Sequence, residues 1–332
     1  MKTWKDLYRP VRVSDYVLDC IGFVCETDVR DLTGPKGDAV ATGFFVKVRS
    51  RVRGYGYLYF VTAKHVAADL KDKDIHILIN KRGGGTMEVL PFDPPSWYLH
   101  PSDPTTDIAL APVIPPDGVF NAVPIEHMLT PERVDELSVG IGDEVYSVGL
   151  FTEIDNSERN IPILRHGNIA MMPGQQIQTE LGYADAYLIE ARSIGGMSGS
   201  PVFVRPSGHL PFGTHSDGSP RTIMGVVDHT QLLGIVHGHW DVKENEINEY
   251  PVTQDRKRGV NYGIAIVVPA IKLIEILNRN DLSELRMRHE EEMKKKGVPG
   301  MDSVARTKEE PQESFTQKDF EESLKKASRK RE

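Results

Sequence analysis

The sequence is poor in cysteine, with only Cys20 and Cys25 among 332 residues. Secreted proteins often depend on several disulfides, so this chain does not read as a member of the disulfide-stabilised class. The two cysteines are five positions apart. On one strand their side chains would point to opposite faces, and we do not expect them to pair with each other.

Long apolar runs are also missing. No window reaches the roughly 18–20 uninterrupted apolar residues that a membrane-spanning helix needs. Asp15 and Asp19 interrupt the apolar stretch near the N-terminus, and no small-residue cleavage site follows it, so this segment does not resemble a signal peptide. We therefore expect a soluble cytoplasmic protein without a membrane partner.

Positive charge is in deficit. The chain carries 40 basic and 48 acidic side chains, for a formal net charge of −8. Proteins that bind DNA or RNA usually present a basic face, so the composition argues against a nucleic-acid partner.

What the chain does have is a long region, residues 17–280, rich in β-branched and aromatic residues and broken by turn-forming residues. This pattern predicts many short strands in a sandwich or barrel, and the absence of alternating strands and long helices disfavours a doubly wound α/β fold. The predicted strands span residues 20–26, 42–48, 57–62, 75–80, 107–113, 144–150, 186–190, 201–204, 232–237 and 263–268.

Two helices are predicted at the C-terminal end. Pro269 fits a first helical position and is followed by an apolar stripe, while Asp281 is a candidate cap for a polar helix that continues to Lys296. Residues 281–332 contain 13 acidic and 13 basic side chains and little apolar content. We expect a charged helical or disordered tail with one candidate docking face for a partner.

The strongest local motif is a serine in a glycine-rich turn, Gly196-Met197-Ser198-Gly199, that leads directly into an apolar strand. Glycine permits backbone conformations that other residues avoid, and such a turn can aim amide N–H groups at a developing oxyanion. An ordinary β-turn would have the same composition. The candidate donors are the amides of Gly196 and Ser198.

Two further residues stand at the ends of apolar segments. His65 follows an apolar strand almost at once, and Asp107 opens another in Asp-Ile-Ala-Leu. Each alone reads equally well as a structural or turn residue. Their order is His, Asp, Ser, which differs from the orders of α/β-hydrolases and of subtilisin-like enzymes.

Together the segments T-A-x-H-V, D-I-A-L and G-x-S-G-x-P resemble the triad motifs of trypsin-like (chymotrypsin-fold) serine proteases. Segments similar to strands of bacterial HtrA-type proteases are residues 42–46, 142–149, 234–236 and 262–269. Ser200 gives the form G-x-S-G-S-P that glutamyl endopeptidases also have. HtrA-type enzymes usually carry a PDZ domain after the protease, and the roughly 50 mostly polar residues after position 280 are too few and too polar for one.

The resemblance implies an all-β fold of two six-stranded antiparallel Greek-key barrels with a C-terminal helix. It also implies a serine endopeptidase that forms an acyl-enzyme on protein or peptide substrates and needs no cofactor or metal. In this reading residues 1–16 are an extension, 17–130 and 131–280 are the two barrels, and 281–332 are the tail. His65, Asp107 and Ser198 would be the triad, and the Gly196 and Ser198 amides the oxyanion hole.

The chain departs from the family directly before the nucleophile, where digestive enzymes have an aspartate that pairs with a new N-terminus. Met197 cannot make that pair, so the oxyanion loop must be held in another way, with an effector or oligomerisation as candidates. Residues 205–230 and 240–258 read as insertions beside the cleft.

Substrate specificity is predicted less directly. Arg192, His237 and His239 are candidate pocket residues, and three cationic groups would favour an acidic side chain before the scissile bond. The pair His237 and His239 also has metal-ligand spacing, but no third ligand is evident.

Two other functions remain open. The fold could serve as a catalytically silent or partner-activated binding scaffold, although all three triad residue types are present. A lipase or esterase would need a strand-to-helix elbow after the serine, and here Pro201 and a strand follow.

Overall fold

The structure is a computed structural model that describes residues 15–26, 38–71, 73, 75–80, 87–92, 97–114, 121–151, 160–191, 196–214, 220–226, 230–242 and 260–296. It is mostly β-structure with few helices, as the composition of residues 17–280 predicts.

The N-terminal half forms one sheet of eight strands. In space they run β5-β4-β1-β2-β3-β7-β6, with β8 beside β2 as the parallel partner. The strands are β1 (Ile21–Glu26), β2 (Asp38–Arg49), β3 (Gly56–Thr62), β4 (Ile75–Asn80), β5 (Met87–Phe92), β6 (Tyr98–Leu99), β7 (Ala109–Pro112) and β8 (Val123–Pro124). This differs from the six strands predicted, and in the described residues the pairing follows an open path, so closure into a first barrel stays a prediction.

Strand β2 shows why this sheet forms. Phe44 and Phe45 are consecutive, point to opposite faces and are both fully buried, each in a different apolar cluster. A strand buried on both faces reads as a continuous apolar run, which is the signal present in Gly-Phe-Phe-Val. Phe44 shares its cluster with Val148 and Phe203 of the C-terminal half, so one core joins the two halves.

The C-terminal half contains a closed barrel of six strands in the order β10-β13-β18-β17-β14-β9, which confirms one predicted barrel. Closure removes the unpaired edges that an open sheet exposes. Its strands are β9 (Glu144–Gly149), β10 (Ile163–Met171), β13 (Tyr187–Glu190), β14 (Pro201–Arg205), β17 (Gln231–Val242) and β18 (Val260–Pro269).

Two hairpins lie outside the barrel path. They are β11 (Ile177–Thr179) with β12 (Gly182–Ala184), and β15 (Ser207–Thr214) with β16 (Pro220–Val226). The second hairpin occupies most of the predicted insertion at residues 205–230. Most of the insertion at 240–258 lies outside the described residues.

In the part of the chain that the structure describes, five α-helices and one 3-10 turn connect or follow the strands. They are α1 (Asp15–Asp19), α2 (Lys64–Asp69), the turn Ile125–His127, α3 (Pro131–Glu136), α4 (Ala270–Leu277) and α5 (Asn280–Lys295). Within the described ranges no helix combines the length and apolarity needed to cross a bilayer. Pro269 precedes α4 by one residue instead of opening it, because its backbone is still extended and pairs in β18.

Helix α5 is attached to the N-terminal sheet. The buried carboxylate of Glu290 accepts hydrogen bonds from the Ser50 hydroxyl at 2.8 Å and from the Arg51 amide at 2.9 Å. The hydroxyl of Tyr57 donates to the carbonyl of Arg286 at 2.9 Å. The first part of the charged tail is therefore a docked helix that follows the barrel and returns to the sheet. The candidate docking face beyond it, along with the rest of residues 297–332, lies outside the described residues.

Candidate active site

His65 occupies the second position of α2, directly after strand β3 ends at Thr62. Ala63 between them keeps an extended backbone, with φ −71° and ψ 145°, and the chain turns into the helix at the next residue. The strand end therefore presents the imidazole at the rim of the sheet, where 36% of the side chain is exposed.

Asp107 lies two residues before β7 and is almost completely buried, with 1% of its side chain exposed. Its Oδ2 lies 2.7 Å from Nδ1 of His65, and its Oδ1 accepts the backbone amide of His65 at 2.9 Å. A carboxylate can only accept, so Nδ1 carries the proton and Nε2 of His65 keeps its lone pair. The structure thus brings together two of the three predicted triad residues.

Electrostatics in this pair follow from burial and hydrogen bonding. Burial would raise the pKa of Asp107, but hydrogen bonds from His237 and His65 hold it well below its usual range. Burial would lower the pKa of His65, but the hydrogen bond and negative charge of Asp107 raise it above its ordinary value. Each partner therefore favours the charged form of the other.

A second imidazole reaches the same carboxylate. His237, on barrel strand β17, has its Nδ1 2.5 Å from Oδ2 of Asp107, and its ring stands edge-on to that of His65 at 5.9 Å. Only 10% of the His237 side chain is exposed. The sequence marked this residue for a substrate pocket and gave no sign of a contact with Asp107.

Ser198 lies in the turn of residues 196–200, directly before strand β14. The preceding residues 192–195 lie outside the described residues. Gly196 and Gly199 on either side have positive φ angles of +91° and +82°, a region that side chains rarely adopt. A Cβ atom on Gly199 would lie 2.5 Å from the hydroxyl of Thr62 and 2.9 Å from the amide of Ala63. The serine turn is therefore pressed against the strand end that carries His65.

Thr42 of strand β2 holds this turn from the side of the sheet, and sequence reasoning did not assign it a role. Its hydroxyl donates to the carbonyl of Gly196 at 2.7 Å and accepts the amide of Leu150 at 2.9 Å. Its own amide donates to the carbonyl of Ser198 at 3.2 Å. The sequence signal was only a threonine at the start of an apolar segment, and the structure shows that this threonine is fully buried, where its hydroxyl needs hydrogen-bonding partners.

Some of the contacts that the predicted triad and oxyanion hole would make are not formed in the described residues. Among the residues that the structure describes, none forms a hydrogen bond with the Ser198 hydroxyl or with the amide N–H groups of Gly196 and Ser198. Hydrogen bonds of catalytic groups often tighten only when substrate binds.

His65, Asp107 and His237 also have the composition of a metal site. One potential ligand atom from each lies within 4.8 Å of the others. The two Nδ1 atoms, however, lie 2.5–2.7 Å from Oδ2, which is hydrogen-bond spacing, and an ion between them would have to displace both protons. Arg192 and the side chain of His239 lie outside the described residues.

Comparison with known proteins finds similar solved structures only at low sequence identity. No family model and no curated protein matches it. Solved structures similar to it include the MamO protease domain from Magnetospirillum magneticum, at 15% identity over 80% of this chain and 98% of that one, with a TM-score of 0.44. Another is Rv3671c protease from M. tuberculosis H37Rv, at 15% identity over 81% and 91%, with a TM-score of 0.41. Deg5 matches at 15% identity over 67% and 81%, with a TM-score of 0.39.

Proposed function

We propose that the protein is a serine endopeptidase, with Ser198 as nucleophile, His65 as general base and Asp107 as its orienting carboxylate. The observation that carries the proposal is the contact of His65 with a buried Asp107 at the strand end against which the Ser198 turn packs. An imidazole with a fixed tautomer beside a serine in a glycine-rich turn is the arrangement that acyl transfer requires.

In the reaction, the Ser198 hydroxyl attacks the carbonyl carbon of a peptide bond while Nε2 of His65 takes its proton. The tetrahedral intermediate collapses when His65 gives that proton to the leaving amine, and an acyl-serine remains. Water then repeats the two steps and releases the acid. Asp107 stabilises the imidazolium that forms each time His65 takes a proton, because the hydrogen bond and negative charge of Asp107 raise the pKa of His65.

The oxyanion would be bound by the amides of Gly196 and Ser198. Both are free of hydrogen bonds within the described residues, and the Thr42 hydroxyl fixes the carbonyl of Gly196 on the opposite side of the turn. An oxyanion donor in comparable sites contributes about 3–4 kcal/mol to transition-state binding. In digestive trypsin-like enzymes an aspartate at the position of Met197 helps to hold this loop. Here the hydrogen bond from the Thr42 hydroxyl to the Gly196 carbonyl would hold it instead.

The proposal is tested by covalent labelling with a fluorophosphonate, which reports an activated serine without knowledge of the natural substrate. Wild-type protein should be labelled at Ser198, and Ser198→Ala should not, since that substitution removes the hydroxyl that the proposal makes the nucleophile. Ser102→Ala, which changes an exposed serine, is the matched control and should label like wild type. Equal labelling of Ser198→Ala and wild type would contradict the assignment.

A second candidate is a protein that becomes active only when a partner or substrate binds, or that acts as a silent scaffold. The unbonded Ser198 hydroxyl favours it, because an imidazole that does not contact the hydroxyl cannot accept its proton. Labelling that starts only after addition of a partner protein would support partner activation. Absence of labelling with every protein or peptide tested would support the scaffold.

A preference for acidic substrates remains a prediction that depends on Arg192 and His239.

A further inference from the structure

We infer that His237 is a positioning residue that orients Asp107 and keeps it ionised by donating a second imidazole hydrogen bond to its carboxylate. This inference depends on the proposed function, since it concerns the same carboxylate. It places His237 with His65 and Asp107 in the acid–base chemistry, whereas the sequence analysis had named His237 as a candidate residue of the substrate pocket.

The first argument is the donor count at Asp107. Its Oδ1 accepts from the His65 amide at 2.9 Å, while Oδ2 accepts from His65 at 2.7 Å and from His237 at 2.5 Å. With 1% of the side chain exposed, water is not available to replace a missing donor. A buried ionised carboxylate is stable only when such donors satisfy it.

The second argument is direction. His237 approaches Asp107 from the barrel, whereas His65 approaches it from the sheet, and the two rings are nearly perpendicular, at 88°. Donors from two sides fix both the rotation of the carboxylate and the plane of the His65 ring. Without His237, only the backbone amide and the ring of His65 would hold the carboxylate, and no donor from the barrel would limit its movement.

The charged groups around His237 define the electrostatic setting of its ring. It borders a small cleft whose charged members are Asp103, Asp185 and Lys272, and Lys272 is paired with Asp103 at 2.9 Å. Together with Asp107 and His65, these are the charged and titratable groups that the structure describes around it. Because Asp107 can only accept, Nδ1 of His237 must carry a proton, as Nδ1 of His65 does.

A matched pair of variants isolates this donor. His237→Asn keeps an N–H at the position equivalent to Nδ1, because both nitrogens are bonded to Cγ. His237→Leu has nearly the same shape as Asn and no donor. His166→Leu, on the exposed surface of β10, is the control for loss of a histidine elsewhere.

The measurement is the rate of fluorophosphonate labelling, separated into the maximal rate and the half-saturating concentration, as a function of pH. His237→Leu should lower the maximal rate roughly tenfold to a hundredfold, the range expected for loss of one hydrogen bond to a charge, with the half-saturating concentration little changed. Its acidic limb should move to higher pH, because Asp107 released from His237 becomes a stronger partner for the His65 cation. His237→Asn should recover most of the rate.

Three results would overturn the inference: unchanged rate and pH profile in His237→Leu, an equal loss in Asn and Leu, or a change confined to the half-saturating concentration, as a pocket residue would give. Proton NMR adds a readout independent of the reagent. Wild type should show two downfield imidazole Nδ1–H signals and His237→Asn only one, and a single signal in wild type would also contradict the inference. If wild type itself does not label at Ser198, the proposed function fails, whereas labelling that ignores His237 defeats this inference alone.

Discussion

The N-terminal sheet and the C-terminal barrel hold their parts of the site by different interactions. On the side of the sheet, the buried carboxylate of Asp107 accepts hydrogen bonds from the ring of His65 at 2.7 Å and from the backbone amide of His65 at 2.9 Å. In the barrel, the Ser198 turn is held by backbone bonds, from Gly199 to Val236 at 3.0 Å and from Val236 to Ser200 at 2.9 Å. The sheet therefore fixes a charge, and the barrel fixes a backbone conformation.

This difference predicts different consequences of substitution. A change at the carboxylate alters the acid–base chemistry while the strands around it remain paired. A change in the serine turn alters the backbone on which both the nucleophile and its amides depend. Two residues cross from one half to the other: Thr42 reaches the turn from the sheet, and His237 reaches Asp107 from the barrel.

The largest effect is expected from Gly199→Ala, which adds a methyl group where the halves meet. Its Cβ would lie 2.3 Å from the carbonyl of Thr42, and φ is +82°. We expect loss of labelling at Ser198 and a fall in unfolding free energy of about 3 kcal/mol or more, since backbone atoms cannot move aside cheaply. Urea unfolding and labelling measure both quantities.

The matched control for that substitution is Gly54→Ala, which has the same φ of +82° but nothing within 4 Å of the added atom. It should cost only the conformational term, about 1–2 kcal/mol, and should label normally. Equal loss of stability in the two variants would show that strain, and not contact between the halves, makes Gly199 sensitive.

A smaller effect is expected from Thr42→Val, which keeps the shape of the side chain and removes its hydroxyl. The carbonyl of Gly196 and the amide of Leu150 would lose a buried partner, at a cost of about 2–4 kcal/mol for the two groups. Labelling should slow by roughly tenfold because the turn, and with it the Gly196 amide, is less well fixed.

Thr42→Ser retains the hydroxyl and should restore most of the labelling rate and stability. If Thr42→Val loses the predicted stability but labels as fast as wild type, the Thr42 hydroxyl supports the fold and not the oxyanion turn.

The parts of the fold that the sequence predicted are those whose information is local. Strand β14 was expected at residues 201–204 and spans Pro201–Arg205, because four consecutive apolar residues follow the serine turn. Strand β10 was not predicted, since Arg165, His166 and Asn168 on its more exposed positions interrupt the apolar pattern. Barrel closure could not be read locally either, because it depends on pairing between distant strands.

The site shows the same limit. Residue type and order selected His65, Asp107, Ser198 and Gly196 as candidates, and the structure brings His65 into contact with Asp107. The role of His237 was not visible, because its partner lies 130 residues away in the chain and in the other half of the molecule. The burial of Glu290 was hidden for a related reason, since a run of charged residues normally predicts a solvated surface and not a carboxylate that accepts from Ser50.

The smallest effect is expected from the pH dependence of the Asp107–His65 pair. It tests directly whether the sheet fixes a charge at the site. Labelling needs neutral His65, so its rate should rise with pH through a midpoint above the ordinary value of 6.5. Stability runs the other way. The raised pKa of His65 contributes stability that is fully present below 6.5 and lost as pH rises through the folded-state value, whereas the lowered pKa of Asp107 contributes stability that is present above 3.8 and lost on further acidification.

The pair should therefore stabilise the fold most between those two values, on the acidic side of the pH range in which the protein labels fastest. Melting temperatures from about pH 4 to 9, compared with those of His65→Gln, separate this contribution from that of the other histidines, and labelling rates of the wild type over the same range give the labelling midpoint. Gln cannot gain a proton, so the difference curve belongs to His65. A labelling midpoint at or below 6.5 would mean that the burial of His65 outweighs the charge of Asp107, and the sheet would then fix geometry alone, as the barrel does.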